Sequence, residues 1–417
     1  MTRSPIQLFA ALAISLTYIS TSQGAKVPVE KKPDNTVPPA GHVAASNHFA
    51  FDLYGQLRGD KEGKNLLYTP ASISMALAMT SAGARGDTAK QMASVLHWER
   101  DAAALHTGMN DWIQRLNAID QGQEYQLRVA NRLWAQQGYK FLDAFLKVTR
   151  QQYQAELGQV NFETQTETAR QTINRWVEQQ TAGKIQNLMP PGAVDPRTRL
   201  VLTNAIYFKG DWQTPFKKSR TQEQDFHLSA SKNSRVPTMQ LTNRFQFARM
   251  DGLKILQMPY KGGQLAMVIV LPDEVDGLAK VEEQLSPDTW KEWATALKAK
   301  EVSVRLPRFK MTSDFSLQDA LTELGMPLAF EEGSADFSGM NGKHDLFISA
   351  ALHKAFVDVN EEGTEAAAAT GISIGVTSAV EPTKPEEFHA DHPFLFAIVD
   401  NRGGSVLFLG RVLDPTK

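Results

Sequence analysis

The sequence predicts an α+β fold in one large domain, because helical patterns dominate its first half and strand patterns its second half. The chain has 417 residues, of which 42% are hydrophobic and 22% charged, and this is enough for a sizeable core. No low-complexity linker divides its middle, and no internal repeat is evident. The order of the patterns therefore favours an α+β architecture over repeated βαβ units.

The N-terminus has the pattern of a secretory signal peptide over residues 1–25. Arg3 supplies a positive charge, residues 6–19 are mostly apolar, and small or polar residues follow. The apolar run is too short for a membrane span. We expect cleavage near Gly24 or Ala25 and a flexible tether over residues 26–45. The protein would then be secreted or periplasmic, with no membrane contact after signal removal, and its folded domain would span residues 46–417.

Charge and cysteine content exclude several classes of function. The formal net charge is −2, which argues against general nucleic-acid binding. The chain has no cysteine, so disulfides, thiol nucleophiles and thiolate metal sites are excluded.

Helical patterns follow the tether. Apolar residues at helical spacing predict an amphipathic helix over 47–57. A buried helix is predicted from Pro70 to Met79, since small and apolar residues surround it, with Thr69 as N-cap and Pro70 at its first position. Another helix should start near Thr88, and residues 168–181 also have helical spacing.

Strand patterns dominate afterwards. Residues 199–208 and 265–271 are nearly continuous apolar runs, which predict central strands covered on both faces. Residues 301–306 alternate between apolar and polar side chains. Residues 394–399 and 406–412 are predicted to pair as a hairpin around a turn at 401–404.

One segment, beginning at Glu361, fits two kinds of structure. With a period of two, one of its faces carries only small, apolar or β-branched residues, namely Thr364, Ala366, Ala368, Thr370, Ile372, Ile374 and Val376. Its alanine run also suits a helix, which periodicity alone favours. A segment able to take either form is a candidate switch element.

No catalytic motif is found. The sequence lacks a Gly-x-Ser-x-Gly elbow, a His-Glu-x-x-His pair and phosphate-binding glycine loops. His389 and His392 are close together but make a weak metal pair, and His353 is expected to be a hydrogen-bonded core histidine. We therefore expect no enzyme, no cofactor and no metal site.

Several ordered stretches resemble the serpin family. The resemblance covers the chain from about Asn47 to its end, and its motifs are residues 65–73, 203–212, 306–309, 335–340, 353–360, 390–396 and 408–412. It implies a serpin fold with roughly three β-sheets, eight or nine helices and an exposed reactive loop at about 361–390. In inhibitory members a protease cuts this loop and forms an acyl-enzyme. The cut loop then inserts into the main sheet and traps the protease.

The resemblance assigns the segment starting at Glu361 to the hinge of that loop. The hinge residues would be Glu362, Gly363, Thr364, Glu365, Ala366, Ala367, Ala368, Ala369 and Thr370. A charge or proline on the inserting face would oppose insertion, and none occurs there before Pro382. An inhibitory, metastable serpin is therefore expected. The alternative is a non-inhibitory serpin acting as a carrier, chaperone or storage protein.

The reactive bond depends on how the loop is counted. Counting forward from the hinge gives Thr377–Ser378, with Val376 and Ala379 as nearby alternatives, whereas counting back from residues 392–394 gives Pro382–Thr383. We favour the forward count, because the alternating face ends near Val376. The small residues there suit an elastase-like, subtilisin-like or papain-like protease. The inhibitor is expected to be a monomer.

Four further residues match the family's sheet-opening positions. Ser72, Asn204 and His353 resemble a polar cluster beneath the sheet, and Trp212 resembles the aromatic residue below the point of loop insertion. Thr69 stands where the family usually has serine. The sequence predicts no helix with a basic face, so it gives no indication of a heparin-type cofactor site.

Overall fold

The computed structural model of the protein describes residues 40–98, 101–120, 125–364 and 384–417. The described residues form ten α-helices and fifteen strands. The helices are α1 (Ala40–Asp60), α2 (Pro70–Ser81), α3 (Gly86–Val95), α4 (Ala102–Asp120), α5 (Asp143–Tyr153), α6 (Phe162–Gln180), α7 (Leu278–Gln284), α8 (Pro287–Ala296), α9 (Gln318–Glu323) and α10 (Ser338–Asn341).

The strands fall mostly in the second half of the chain, as the sequence predicts. They are β1 (Leu66–Tyr68), β2 (Tyr125–Gln136), β3 (Gly158–Val160), β4 (Leu200–Asp211), β5 (Gln222–Ser229), β6 (Lys232–Met250), β7 (Leu253–Pro259), β8 (Leu265–Pro272), β9 (Lys298–Pro307), β10 (Phe309–Ser316), β11 (Ile348–Val359), β12 (Gly363–Thr364), β13 (Glu386–His389), β14 (Phe394–Asp400) and β15 (Ser405–Val412).

The strands pair in two hydrogen-bonded networks. The six-stranded sheet has the order β10-β11-β12-β4-β2-β3. The nine-stranded network has two parts joined by the long strand β6, whose residues 246–250 pair with β7 and whose residues 238–247 pair with β9. The three expected sheets therefore correspond to the six-stranded sheet and to the two parts of the nine-stranded network, which share β6.

The predicted elements are found at their predicted places. The buried helix is α2, which has every residue from Pro70 to Thr80 buried and contacts β2, β4 and β15. A helix that is apolar on all sides is stable only inside a core. The two apolar runs are the buried strands β4 and β8, and the C-terminal hairpin is β14–β15. Thr69 precedes α2 as predicted, but its side chain makes no capping hydrogen bond.

The boundary of the predicted tether needs correction. Helix α1 begins at Ala40, so residues 40–45 are helical and not part of a flexible segment. Val43 and Ala45 are buried in the main hydrophobic core, and this packing stabilises the first turns of the helix. Residues 1–25 and the rest of the tether up to residue 39 lie outside the described residues.

Candidate functional site

A row of polar side chains crosses the centre of the six-stranded sheet. Asn131 on β2 is the register partner of Asn204 on β4, and Asn204 is the register partner of His353 on β11. Ser72 approaches this row from helix α2, which packs beneath the sheet. Three neighbouring strands and one helix therefore meet at four polar residues, of which Ser72, Asn204 and His353 are buried and Asn131 is half-buried.

Hydrogen bonds connect all four residues. The Asn204 side-chain amide donates to Ser72 Oγ at 2.7 Å and to Asn131 Oδ1 at 2.6 Å. Ser72 Oγ donates to Asn131 Oδ1 at 3.1 Å, and Asn131 Nδ2 returns a bond to the Ser72 carbonyl at 3.0 Å. The bond between Asn204 and Ser72 is buried and the bonds of Asn131 are partly buried. In such an environment satisfied polar groups fix one arrangement and unsatisfied ones are costly.

His353 completes the row as a neutral side chain. Its Nδ1 lies 2.5 Å from Asn204 Oδ1. Because an amide oxygen can only accept, the N–H of His353 Nδ1 donates this hydrogen bond. Burial lowers the pKa of His353 to about 3. The prediction of a hydrogen-bonded core histidine is confirmed.

The sequence prediction of this cluster was incomplete. Ser72, Asn204 and His353 are brought together as expected, but Asn131 was not predicted. Its only sequence signal is a single asparagine inside an otherwise alternating strand, and that signal becomes useful only when β2 is known to neighbour β4. Thr69 is fully buried, but its hydroxyl has no partner and takes no part in the network.

Two residues of the hinge lie inside the sheet. Gly363 and Thr364 form the short strand β12, which pairs with Asp211 and Gly210 of β4 on one side and, through Thr364, with Val359 of β11 on the other. Below this point β4 and β11 pair directly with each other over residues 200–207 and 348–356. Gly363 and Thr364 therefore occupy the top of a boundary that is closed along the rest of its length. We call this β4–β11 boundary the seam.

An aromatic cluster lies at the top of the seam. Trp212 stacks on Tyr260 with ring centroids 4.6 Å apart and an interplanar angle of 6°. The Trp212 indole donates to the Asn360 carbonyl at 2.9 Å, and the Trp212 amide donates to the Glu362 carbonyl at 2.8 Å. Trp212 is thus close to the hinge, as predicted, and it is not part of the polar row.

Two ion pairs hold the residues just before β12. The carboxylate of the buried Glu361 accepts bonds from the Arg308 guanidinium and from the Thr221 hydroxyl. Burial by itself would raise the pKa of Glu361, but these bonds bring it below its usual value, so the ion pair persists at neutral pH. The Glu362 carboxylate lies 2.6 Å from Lys218 Nζ at a more exposed position.

The remaining predicted loop positions lie outside the described residues. These are the hinge residues Glu365, Ala366, Ala367, Ala368, Ala369 and Thr370 and the candidate reactive-bond residues Val376, Thr377, Ser378 and Ala379. The described chain resumes at Lys384, and β13 then pairs in parallel with β9.

These features define a class of protein in which the start of a loop forms a short strand of the six-stranded sheet. This strand lies above a seam whose two strands are joined by a row of polar side chains. The chain belongs to the serpin family: the family described as serpin (serine protease inhibitor) matches residues 44–415. The prediction of a serpin fold is confirmed.

Similar proteins include the leukocyte elastase inhibitor of Bos taurus, which is 45% identical over 380 residues, covering 89% of this chain and 99% of that protein. Serpin B4 of Homo sapiens is 40% identical over 388 residues, with 89% and 98% covered. Among solved structures, uncleaved ovalbumin is similar with a TM-score of 0.81 and 33% identity, covering 90% of this chain and 100% of ovalbumin. Serpin48 of the insect Tenebrio molitor has a TM-score of 0.79 and 32% identity, with 92% and 99% covered.

The prediction of a secreted or periplasmic protein with a signal peptide is wrong. The similar leukocyte elastase inhibitors and serpin B members are intracellular rather than secreted. The apolar run at residues 6–19, on which the prediction rested, lies outside the described residues. Within the described part of the chain, no helix is long and apolar enough to cross a membrane.

Proposed function

We propose that this chain inhibits serine proteases of elastase-like specificity as a suicide substrate. The protease serine attacks the reactive bond, an ester forms with the loop, and the new C-terminal fragment leaves as the amine. The acylated loop then inserts along the seam before water hydrolyses the ester. The names of the similar leukocyte elastase inhibitors support the target class, and the position of β12 between β4 and β11 carries the mechanism.

The register of β12 indicates how far insertion can proceed. Thr364 faces Gly210, and each later loop residue would face the preceding residue of β4. Thr370 would then face Asn204, and Ile374 would face Leu200, where β4 begins. Residues 363–374 would therefore cover β4 from end to end.

This register also gives a reason for the small inserting face. Thr364 is fully buried, and in an inserted strand with a period of two Ala366, Ala368 and Thr370 would follow it on the same side. At Asn204, Thr370 would take the place that His353 now holds across the seam. A hydroxyl at that position can bond to the amide, which an alanine could not.

We propose Thr377–Ser378 as the reactive bond, with cleavage after Val376 or Ala379 as the nearby alternatives. If residue 374 fills the last position on β4, three residues remain before this bond. These residues span the distance from the sheet edge to the protease. Small side chains at these positions fit an elastase-like pocket and also subtilisin-like or papain-like ones. The mass of the C-terminal fragment released by elastase identifies the bond.

The experiment is incubation with elastase followed by denaturing electrophoresis. We expect an SDS-stable complex with the native chain. The Thr364→Arg variant should be cleaved without forming the complex, because a charge on the buried face blocks insertion. The matched Glu365→Arg variant places the same charge on the predicted outward face and should still form the complex. Trapping by Thr364→Arg would contradict the insertion mechanism.

We also infer that the chain acts as a monomer and without catalysis of its own. Inhibition of this kind uses the catalytic serine of the target, so it needs no catalytic residue, cofactor or metal of the inhibitor. Light scattering should give the mass of one chain. Clean nicking by every protease of an elastase, subtilisin and papain panel would instead support the non-inhibitory alternative.

A further inference from the structure

The hydroxyl group of Tyr260 meets Thr364, a buried residue of the hinge. Tyr260 Oη and Thr364 Oγ1 lie 2.7 Å apart, and both residues are fully buried. Tyr260 lies between β7 and β8, two strands of the nine-stranded network, and forms an isolated antiparallel bridge with Trp212, just after β4. The bond therefore connects the hinge to the turn between two strands of the nine-stranded network.

The ring of Tyr260 is held firmly in this position. It stacks on Trp212 at 4.6 Å and meets Phe208 edge-on at 5.1 Å. Its backbone amide donates to the Leu265 carbonyl at 3.0 Å. The hydroxyl is thus positioned by packing from several directions before the hinge reaches it.

The strand opposite the hinge leaves room for this ring. Gly210 is the register partner of Thr364, and a Cβ atom at Gly210 would lie 2.6 Å from Phe208 Cζ and 3.1 Å from Tyr260 Cδ1. A side chain there would push the rings away from the hinge. Burial raises the pKa of Tyr260, so its hydroxyl keeps its proton at neutral pH and is able to donate.

We propose that Tyr260 is a positioning residue that keeps Thr364 inside the sheet, so that β12 serves as the preformed start of loop insertion. This inference rests on the proposed inhibitory function. If the start is already in register, insertion only has to extend a strand and does not have to nucleate one. Loss of the bond releases the hinge, slows insertion and allows the acyl-enzyme to hydrolyse.

The first test needs no protease target. Hydrogen exchange at residues 360–364, followed by mass spectrometry, is compared for the native chain, Tyr260→Phe and Thr364→Val. We expect each variant to exchange about tenfold faster in this segment, since each leaves a buried hydroxyl without its partner. Tyr153→Phe is the control. It also removes a buried tyrosine hydroxyl, but this hydroxyl lies 2.6 Å from Nδ1 of His106 on helix α4 and not at the hinge. It should leave exchange at 360–364 unchanged.

The second test measures partitioning on elastase. For Tyr260→Phe we expect a lower ratio of complex to cleaved chain, while thermal unfolding shifts no more than for Tyr153→Phe. In the double variant Tyr260→Phe/Thr364→Val the effects should be less than the product of the single effects, because both partners are removed. Unchanged exchange and partitioning in Tyr260→Phe would overturn the proposal. If the native chain forms no complex, the proposed function fails, and hydrogen exchange still decides whether Tyr260 holds the hinge.

Discussion

His353 and Asn204 face each other across the seam, joined by a bond of 2.5 Å between Nδ1 and Oδ1. Asn204 is bonded on its other side to Ser72 and Asn131. Opening the seam separates His353 from the other three residues but leaves their mutual bonds intact. The polar row is thus divided at the point where the proposed insertion has to pass.

Asn131 should matter to stability although no sequence motif singled it out. Asn131→Ala removes the acceptor of the Asn204 and Ser72 bonds, so we expect the free energy of unfolding to fall by about 1–3 kcal/mol. Urea unfolding measures this change. The control is Asn117→Ala on helix α4. Asn117 makes an exposed bond of 3.4 Å to Gln154, and its loss should change the free energy of unfolding by no more than about 0.5 kcal/mol. Equal midpoints for the two variants would contradict the role of Asn131.

The buried histidines predict a loss of stability in acid. Burial lowers the pKa of His353 to about 3 and that of His106 to about 4, whereas an unfolded histidine titrates near 6.5. Below about pH 6.5 the unfolded state binds more protons than the folded state, so stability is fully present above this pH and decreases towards pH 3.

Each histidine should contribute a slope of up to about 1.4 kcal/mol per pH unit. Urea midpoints at pH 7, 6, 5 and 4 measure it. His106→Gln should have a shallower acid limb than the native chain, whatever its stability at pH 7. A His106→Gln limb as steep as the native one would show that this histidine is not the cause.

Sequence patterns within single segments predicted many of the helices and strands, but they predicted little of the polar and aromatic clusters. Such patterns predicted α2, β4, β8 and the C-terminal hairpin, because burial of continuous apolar runs is decided locally. The family resemblance predicted Ser72, Asn204, His353 and Trp212, but Asn131 and Tyr260 were missed. Both depend on which strands or turns become neighbours, and single-segment patterns do not contain that information. The start of α1 was also misplaced, since tertiary packing of Val43 extends it beyond its periodic core.

Gly363 should be required for the first hinge strand. A Cβ at this position would overlap the carbonyl oxygen of Gly210 and lie 2.7 Å from Asp211 Cα, and backbone atoms in a sheet have little freedom to shift. Gly363→Ala should therefore displace β12, with faster hydrogen exchange at residues 360–364 and a smaller fraction of trapped elastase. Gly55→Ala in helix α1 is the matched control, because a Cβ at that position would have no atom within 4 Å and alanine favours a helix. Native exchange in Gly363→Ala would disprove the steric argument.

Arg411 should be among the most sensitive positions for stability. It pairs with Glu282 at 2.9 Å, and the two side chains are only 6% and 7% exposed. It also donates to the Lys61 carbonyl at 2.7 Å, just after α1. Arg411→Met leaves Glu282 buried without its cation, although Tyr54 still donates to that carboxylate at 2.6 Å, so we expect a loss of about 3–5 kcal/mol in the free energy of unfolding.

Urea unfolding of four variants, namely Arg411→Met, Glu282→Leu, their combination and Arg197→Met, tests this expectation. Arg411→Met combined with Glu282→Leu removes the unpaired charge, so the double variant should be less destabilised than the sum of the single losses. Arg197→Met breaks an exposed pair with Asp195, whose side chains are 81% and 47% exposed, and should cost no more than about 1 kcal/mol. If Arg411→Met unfolded at the same urea concentration as Arg197→Met, the buried pair that joins β15 to α1 and α7 would contribute no more to stability than an exposed pair.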